Sequence, residues 1–214
     1  MTEDALSVLR EKVKEYLTEK RYSHTLGVEK EAARLGKMYL PGKINELRAS
    51  ALLHDITKRW NDEKQLQYCR DFGIMIGEHE KAQTKTLHAK TAAELVLHDF
   101  PEYASPDVVS GVRYHTTGHD GMTLFESIIY LADYIEETRT FPECVMLREY
   151  YNSRLSEAED RSGRETALIM TMIRSFDMTV NTLLEGSEYI DTDTVRARNY
   201  FLALKDGHGD YFGE

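Results

Sequence analysis

Only two cysteines, four prolines and one tryptophan occur among the 214 residues. Cys69 and Cys144 lie far apart with no CxxC spacing, which speaks against a disulfide framework or a thiolate zinc site and for a reducing compartment. Long apolar runs are missing as well. No stretch nears the ~20 residues of a membrane span, and Met1 to Lys20 carries acids where a signal peptide needs an apolar core. The expectation is a cytoplasmic protein without a membrane partner. Positive charge is short, with Lys plus Arg at 27 against Asp plus Glu at 37 and a formal net charge of -10. That balance argues against a nonspecific nucleic-acid binder, while an anionic ligand held by a local pocket of metal and cations stays open. With 41% hydrophobic and 30% charged residues the composition is that of a soluble globular chain long enough for one real core.

Alternating strand patterns are also absent, and apolar residues recur at helical spacing almost throughout, starting with Leu6, Leu9, Val13 and Leu17. The predicted fold is all-α. A first helix is expected from about Glu3 to Lys20, a second from near Ser23 to the Pro41-Gly42 break, and a third from about Asn45 to Arg59. Asn61 to Glu63 caps a short helix, Gly73 to Gly77 reads as a loop, and a segment from Glu80 or Thr86 runs to Phe100 before Pro101. Ser105-Pro106-Asp107 reads as an N-cap with proline at the first helical position, launching a helix through about His115. The next, about Thr123 to Glu137, is strongly apolar, and Pro142 marks the turn beyond it. Two or three amphipathic helices follow, the longest from about Ser162 to Leu184 with Leu168, Met172 and Phe176 on one side. One domain over 1–214 is expected: a core over about 20–140, a helical buttress over about 141–205 and a tail at 206–214.

Five polar anomalies interrupt these apolar faces. His54-Asp55 follows Ser50-Ala51-Leu52-Leu53, with Leu47, Ala51 and His54 on nearly one helix face. His24 precedes Val28, Ala32 and Leu35; His88 precedes Ala92 and Leu95; His115 follows Val108 and Val112; Asp133 sits four residues after Ile129. Burying an imidazole or carboxylate without partners costs several kcal/mol, so such groups on separate helices point to a shared ion. Imidazole nitrogen with carboxylate oxygen suits Fe, Mn, Zn, Co or Ni more than Ca or Mg. Arg21 and Lys58 lie three or four residues from a member of this set and Arg139 six beyond Asp133, within reach of phosphate oxygens.

The order His24, His54-Asp55, Asp133 resembles the H…HD…D signature of the HD-domain metal-dependent phosphohydrolase superfamily. The text around it, Arg21-Tyr22-Ser23-His24, Leu53-His54-Asp55-Ile56-Thr57-Lys58, Leu87-His88-Ala89-Lys90-Thr91, Tyr114-His115-Thr116-Thr117-Gly118 and Leu131-Ala132-Asp133-Tyr134-Ile135-Glu136, is similar to the YqeK-type branch over about residues 10 to 200. The resemblance implies an HD-domain helical bundle with additional C-terminal helices. It implies symmetrical hydrolysis of bis(5'-nucleosyl) tetraphosphates, diadenosine tetraphosphate yielding two ADP, with iron as the metal and Mn, Co, Ni or Zn as alternatives. His24, His54, Asp55 and Asp133 would then hold the metal. His88 and His115 would line the phosphate site or, alternatively, complete a second ion's shell.

On the same resemblance Asp55, His88, His115 and Lys58 carry the chemistry. Arg21, Ile56, Thr57, Lys58, His88, His115, Asp133 and Arg139 meet substrate, joined by Thr194, Arg198 and Asn199 near the C-terminus, where an ordinary helix start capped by Asp193 or Thr194 is the plainer alternative. The implied partner is a nucleotide, a dinucleoside polyphosphate with ADP or GDP as product; a homodimer is compatible. The rival readings are another HD-type nucleotide phosphohydrolase (a nucleotidase or an alarmone hydrolase) and a noncatalytic nucleotide-binding sensor. His79 in a polar loop, His98 on a helix surface, His119 after a glycine and His208 in the tail need no role, and Tyr130, Tyr134, Met170, Met172 and Trp60 read as packing.

Overall fold

Small polar side chains begin most of the helices, by accepting from backbone N–H groups that the first turn leaves without partners. Thr2 opens α1 (Glu3–Val13) and Thr18 opens α2 (Glu19–Tyr39), where its hydroxyl accepts from Arg21 N. The computed structural model describes residues 1–207 and 211–212; His208 lies outside the described residues. The single helix expected to reach Lys20 therefore stops at Val13, and α2 starts earlier than Ser23, because the Thr18 cap outweighs the continuing apolar period. Arg21 and His24 consequently share the first turns of one helix.

Next come α3 (Ile44–Leu53), α4 (Asp62–Asp71, capped by Asn61), the short α5 (Glu78–Ala82) and α6 (Leu87–Asp99). Rather than running to Arg59, α3 ends at His54, where the chain tightens into turns such as Lys58 N to Asp55 O at 2.9 Å. Ser105 and Pro106 start α7 (Pro106–Tyr114) as the dipeptide predicts, and a reciprocal Thr123–Glu126 capping box starts α8 (Leu124–Ile135). Pro142 is the first residue of α9 (Pro142–Glu157); α10 (Arg161–Glu185) and α11 (Thr192–Lys205) follow, the latter capped by Asp191 rather than by Asp193 or Thr194. No strand occurs among the described residues.

Packing centres on α2, which lies against both α3 and α8, while α7 closes the set by contacting α3 and α8. Val28, Ala32, Leu35, Leu47, Ala51 and Val112 are fully buried there, each large aliphatic contributing roughly 1.5–3 kcal/mol relative to exposure. α6 packs on α7, α1 covers α3, and α9, α10 and α11 form a stack whose broadest contact with the rest is between α9 and α8. Leu168, Met172 and Phe176 of α10 are all buried, as their spacing predicts. Gly118 ends the α7 turn at φ 63°, and any side chain there would meet Met122, Ala197 and Phe176 within 3 Å, so the turn that follows His115 is fitted to the C-terminal stack. Tyr211, in the tail, donates to Thr123 O at 3.2 Å and braces the start of α8. No described helix is long and apolar enough to cross a membrane.

Candidate metal and phosphate site

Helix ends converge on one spot. His24 comes from the first half of α2, His54 and His115 are the residues that close α3 and α7, Asp55 follows His54, His88 opens α6 and Asp133 lies in the last turn of α8. His24 Nε2 is 2.9 Å from Asp133 Oδ1, and His54 Nε2 is 3.6 Å from the same oxygen and 3.3 Å from Asp55 Oδ2. The other Asp55 oxygen, Oδ1, faces His88 Nε2 at 3.3 Å and His115 Nε2 at 3.7 Å. One carboxylate thus joins two groups of imidazoles.

Each ring is fixed by its other nitrogen. His54 Nδ1 donates to Ala51 O at 2.6 Å, His115 Nδ1 to Val112 O at 2.7 Å and His88 Nδ1 to Lys85 O at 2.9 Å. A carbonyl only accepts, so Nδ1 carries a proton and Nε2 is the nitrogen turned to the centre. His24 Nδ1 is held the same way by the buried Glu136 carboxylate at 2.9 Å. Both His24 Nε2 and His54 Nε2 are buried and lack a hydrogen-bond partner. Buried orphans of this kind are rare, and these two belong to a set with Asp133 whose donor atoms lie within 4.8 Å of one another, as do those of His54, Asp55 and His115. Two imidazoles and two carboxylates with oriented lone pairs fit a divalent transition-metal ion.

Electrostatics separates the two groups. Burial pulls His54 down, but Asp55 and Asp133 outweigh it and hold the ring up at about 10; His24 is raised in the same way, Asp133 and Glu136 overcoming its burial. Both aspartates stay ionised despite burial, Asp55 held low chiefly by His54 and Asp133 by Arg139. A cation is therefore wanted where His24 and His54 face the acids, and metal binding there displaces a proton. On the other side burial wins: His88 falls well below its usual value, pushed further by Lys58, and His115 is lowered too. With Nδ1 committed on both rings, the facing Nε2 atoms of His88 and His115, 3.1 Å apart, are both acceptors, and the Lys58 ammonium, 3.1 Å from His88 Nε2, supplies the positive charge they need.

Two guanidiniums complete the site. Arg21 Nη1 donates to Asp55 Oδ2 at 2.8 Å and Arg139 Nη2 to Asp133 Oδ1 at 2.6 Å. Arg21, Lys58 and Arg139 all line a cavity of about 290 Å³ over Asp55 and Asp133. Asp55, Asp133, His88 and His115 share it, so these seven of the expected residues meet in one place.

Other expected positions fall elsewhere. Ile56 is fully buried in the apolar core, and Thr57, also fully buried, donates to His88 O at 2.9 Å and pins α6; neither side chain is open to a ligand. Thr194 is buried at an adjoining cavity, whereas Arg198 pairs with Asp177 of α10 and Asn199 is exposed, outside the cavities around Asp55. Tyr130 and Tyr134 do more than pack, since both line the central cavity. His79 sits in α5 rather than in a loop, His98 bonds Glu94, and His119 bonds Glu126. Trp60 packs against Tyr68, away from the site. Sequence reasoning missed Thr116 and Thr179 on the wall of the central cavity and, above all, Glu136 behind His24. The signal for Glu136 was Gly27, one turn after His24: a Cβ there would lie 2.2 Å from Glu136 Oε2.

The HD domain family model matches residues 21–138, from Arg21 to just short of Arg139. Three curated relatives carry the name symmetrical bis(5'-nucleosyl)-tetraphosphatase. The one from Bacillus subtilis is 31% identical over 89% of this chain and 94% of its own length, that from Halalkalibacterium halodurans 32% over 89% and 93%, and that from Staphylococcus aureus 28% over 88% and 90%. Among solved structures, a crystal structure from Clostridium acetobutylicum, described as a predicted HD superfamily hydrolase involved in NAD metabolism, superposes with a TM-score of 0.78 at 29% identity, covering 95% of this chain and 98% of that one.

Proposed function

Since the chain belongs to the HD domain family of hydrolases, we propose that it cleaves dinucleoside tetraphosphates symmetrically, diadenosine tetraphosphate giving two ADP. The observation that carries this reading is the pair of orphaned, inward-facing Nε2 atoms of His24 and His54 set against Asp55 and Asp133, beneath a cavity edged by three cationic side chains. His24, His54, Asp55 and Asp133 would hold one ion, iron, for which Mn, Co, Ni or Zn could substitute in the same donor set. When bound, the ion contributes a lowered pKa of water and polarisation of a phosphate oxygen. A single ion is favoured because Lys58 already provides the positive charge on the His88–His115 side.

The protein's own groups do the rest. Arg139 and Arg21 turn from their carboxylates toward the polyphosphate, each able to grip two oxygens at once. Asp55 accepts a hydrogen bond from the attacking water and aims it in line at a phosphorus beside the central anhydride. The Lys58 ammonium, together with a single solvent proton shared between the facing Nε2 atoms of His88 and His115, offsets the charge that builds on the departing ADP. Thr194 marks the side on which one nucleoside rests. Residues 20–140 carry this machinery, and 141–205 brace it.

Metal analysis of the purified protein together with chromatography of the products tests the assignment. ADP as sole product, with metal and turnover lost together in His54→Ala, is the expected result; ATP plus AMP, or turnover by a metal-free variant, overturns it.

A further inference from the structure

Only three aromatic side chains are exposed among the described residues: Phe72 at 42%, Phe141 at 59% and Tyr189 at 60%. Phe72 has company, its ring stacked on Tyr68 at 4.3 Å and against His98 at 4.8 Å. Phe141 and Tyr189 have no ring partner among the described residues, and each lies on a cavity that adjoins the central one. The Tyr189 cavity, about 270 Å³, shares Lys58, Thr116 and Thr179 with it. The Phe141 cavity, about 470 Å³, has none of these residues and shares Arg21 and Arg139 with the central one instead.

The phosphate cavity is therefore flanked by two chambers, each ending in an unpartnered aromatic face. Phe141 is held there by its backbone: it is the residue before α9, and the Pro142 that follows confines it to extended geometry, φ -61° and ψ 136°. The chamber wall supplies exposed hydroxyls on Ser23 and Thr140, and Lys20, which joins no ion pair among the described residues. Its one acid besides the shared site, Glu136, is occupied by His24 and Thr138. An aromatic face, free hydroxyls and cations toward the phosphate side match a nucleoside carrying a phosphate chain.

We propose that this chamber seats the second nucleoside of the substrate, its base stacked on Phe141, its sugar against Ser23 and Thr140, and its proximal phosphate under Arg139 and Lys20. The proposal rests on the tetraphosphatase reading and adds a reason for symmetrical cleavage. When both ends of the molecule are seated, a four-phosphate bridge is centred over Asp55 and Asp133, whereas a substrate with one nucleoside is positioned from one end alone.

Phe141→Ala and Phe141→Trp, assayed with diadenosine tetraphosphate and with adenosine 5'-tetraphosphate, test it. The two compounds share a phosphate chain and differ by the second nucleoside. Removing one stacked base should lower the ratio of kcat/KM for the dinucleotide over the mononucleotide about tenfold in Phe141→Ala, with Phe141→Trp restoring it. An unchanged ratio, or equal loss on both compounds, overturns the seat. Equilibrium binding of a methylene-bridged diadenosine tetraphosphate, compared with the matching mononucleoside analogue, must show the same change in ratio. If the wild-type protein cleaves neither tetraphosphate, the functional reading fails, and the binding ratio still decides the role of Phe141.

Discussion

Helix α2 carries a buried charge cluster at each of two places, and the two behave differently. Around Glu29 everything is matched: Arg10 donates to its carboxylate at 2.6 and 2.8 Å, Arg48 at 2.9 Å, and both arginines are shared with Glu3. Around His24 the carboxylates of Asp55 and Asp133 also have arginine partners, yet the Nε2 atoms of His24 and His54 face them at 2.9–3.6 Å without forming a well-aligned hydrogen bond. Size misleads here. The larger cavity, about 790 Å³, lies beside the matched cluster, and the one over the incomplete cluster is about 290 Å³. Burial of charge alone does not mark a functional site; an unfinished set of partners does, because a buried polar nitrogen without a well-formed hydrogen bond is costly until a ligand meets it.

The contrast can be broken in four ways, in descending size of effect. Asp133→Ala should remove bound metal and lower kcat by about a thousandfold or more, since it takes away both a ligand and the anchor of Arg139; metal content and product formation measured on one preparation check this. Chelation should reduce unfolding free energy by roughly 3–4 kcal/mol if the ion is present at a hundred to a thousand times its Kd. Urea melts of chelated and reloaded protein read that difference, and no difference would mean that the His24 cluster is as complete as the Glu29 one. Glu29→Ala should cost about 2–3 kcal/mol by leaving Arg10 and Arg48 partly unpaired, with metal stoichiometry unaltered; loss of metal in that variant would erase the distinction. Glu136→Ala should weaken metal binding about tenfold to a hundredfold through a less basic, less oriented His24, seen as a shifted competition curve against a coloured chelator.

Much of this was legible in the amino-acid order because it is local. Caps at Asn61, Ser105 and Thr123 depend on a side chain reaching its own next turn, and all three begin helices where the sequence places them. His24, His54, Asp55, His88, His115 and Asp133 stand out because each breaks an apolar period, and all six meet. The errors also have local causes. Periodicity carried α1 past Val13 and α3 past Leu53, where a threonine cap in one case and turn geometry at His54 in the other end the run. Ile56 and Thr57 sit beside the motif in sequence but turn into the core.

What the chain determined by itself, then, is its helical nature and the identity of the ligand-type residues, since both follow from spacing along one backbone. Tertiary packing decided which nitrogen of each histidine faces inward, that Glu136 backs His24, that Lys58 lies against His88, and that Phe141 and Tyr189 each line a separate cavity adjoining the central one. These relations join residues up to about a hundred positions apart. Their energies depend on distances set by how the helices lie on one another, a quantity that no local pattern encodes.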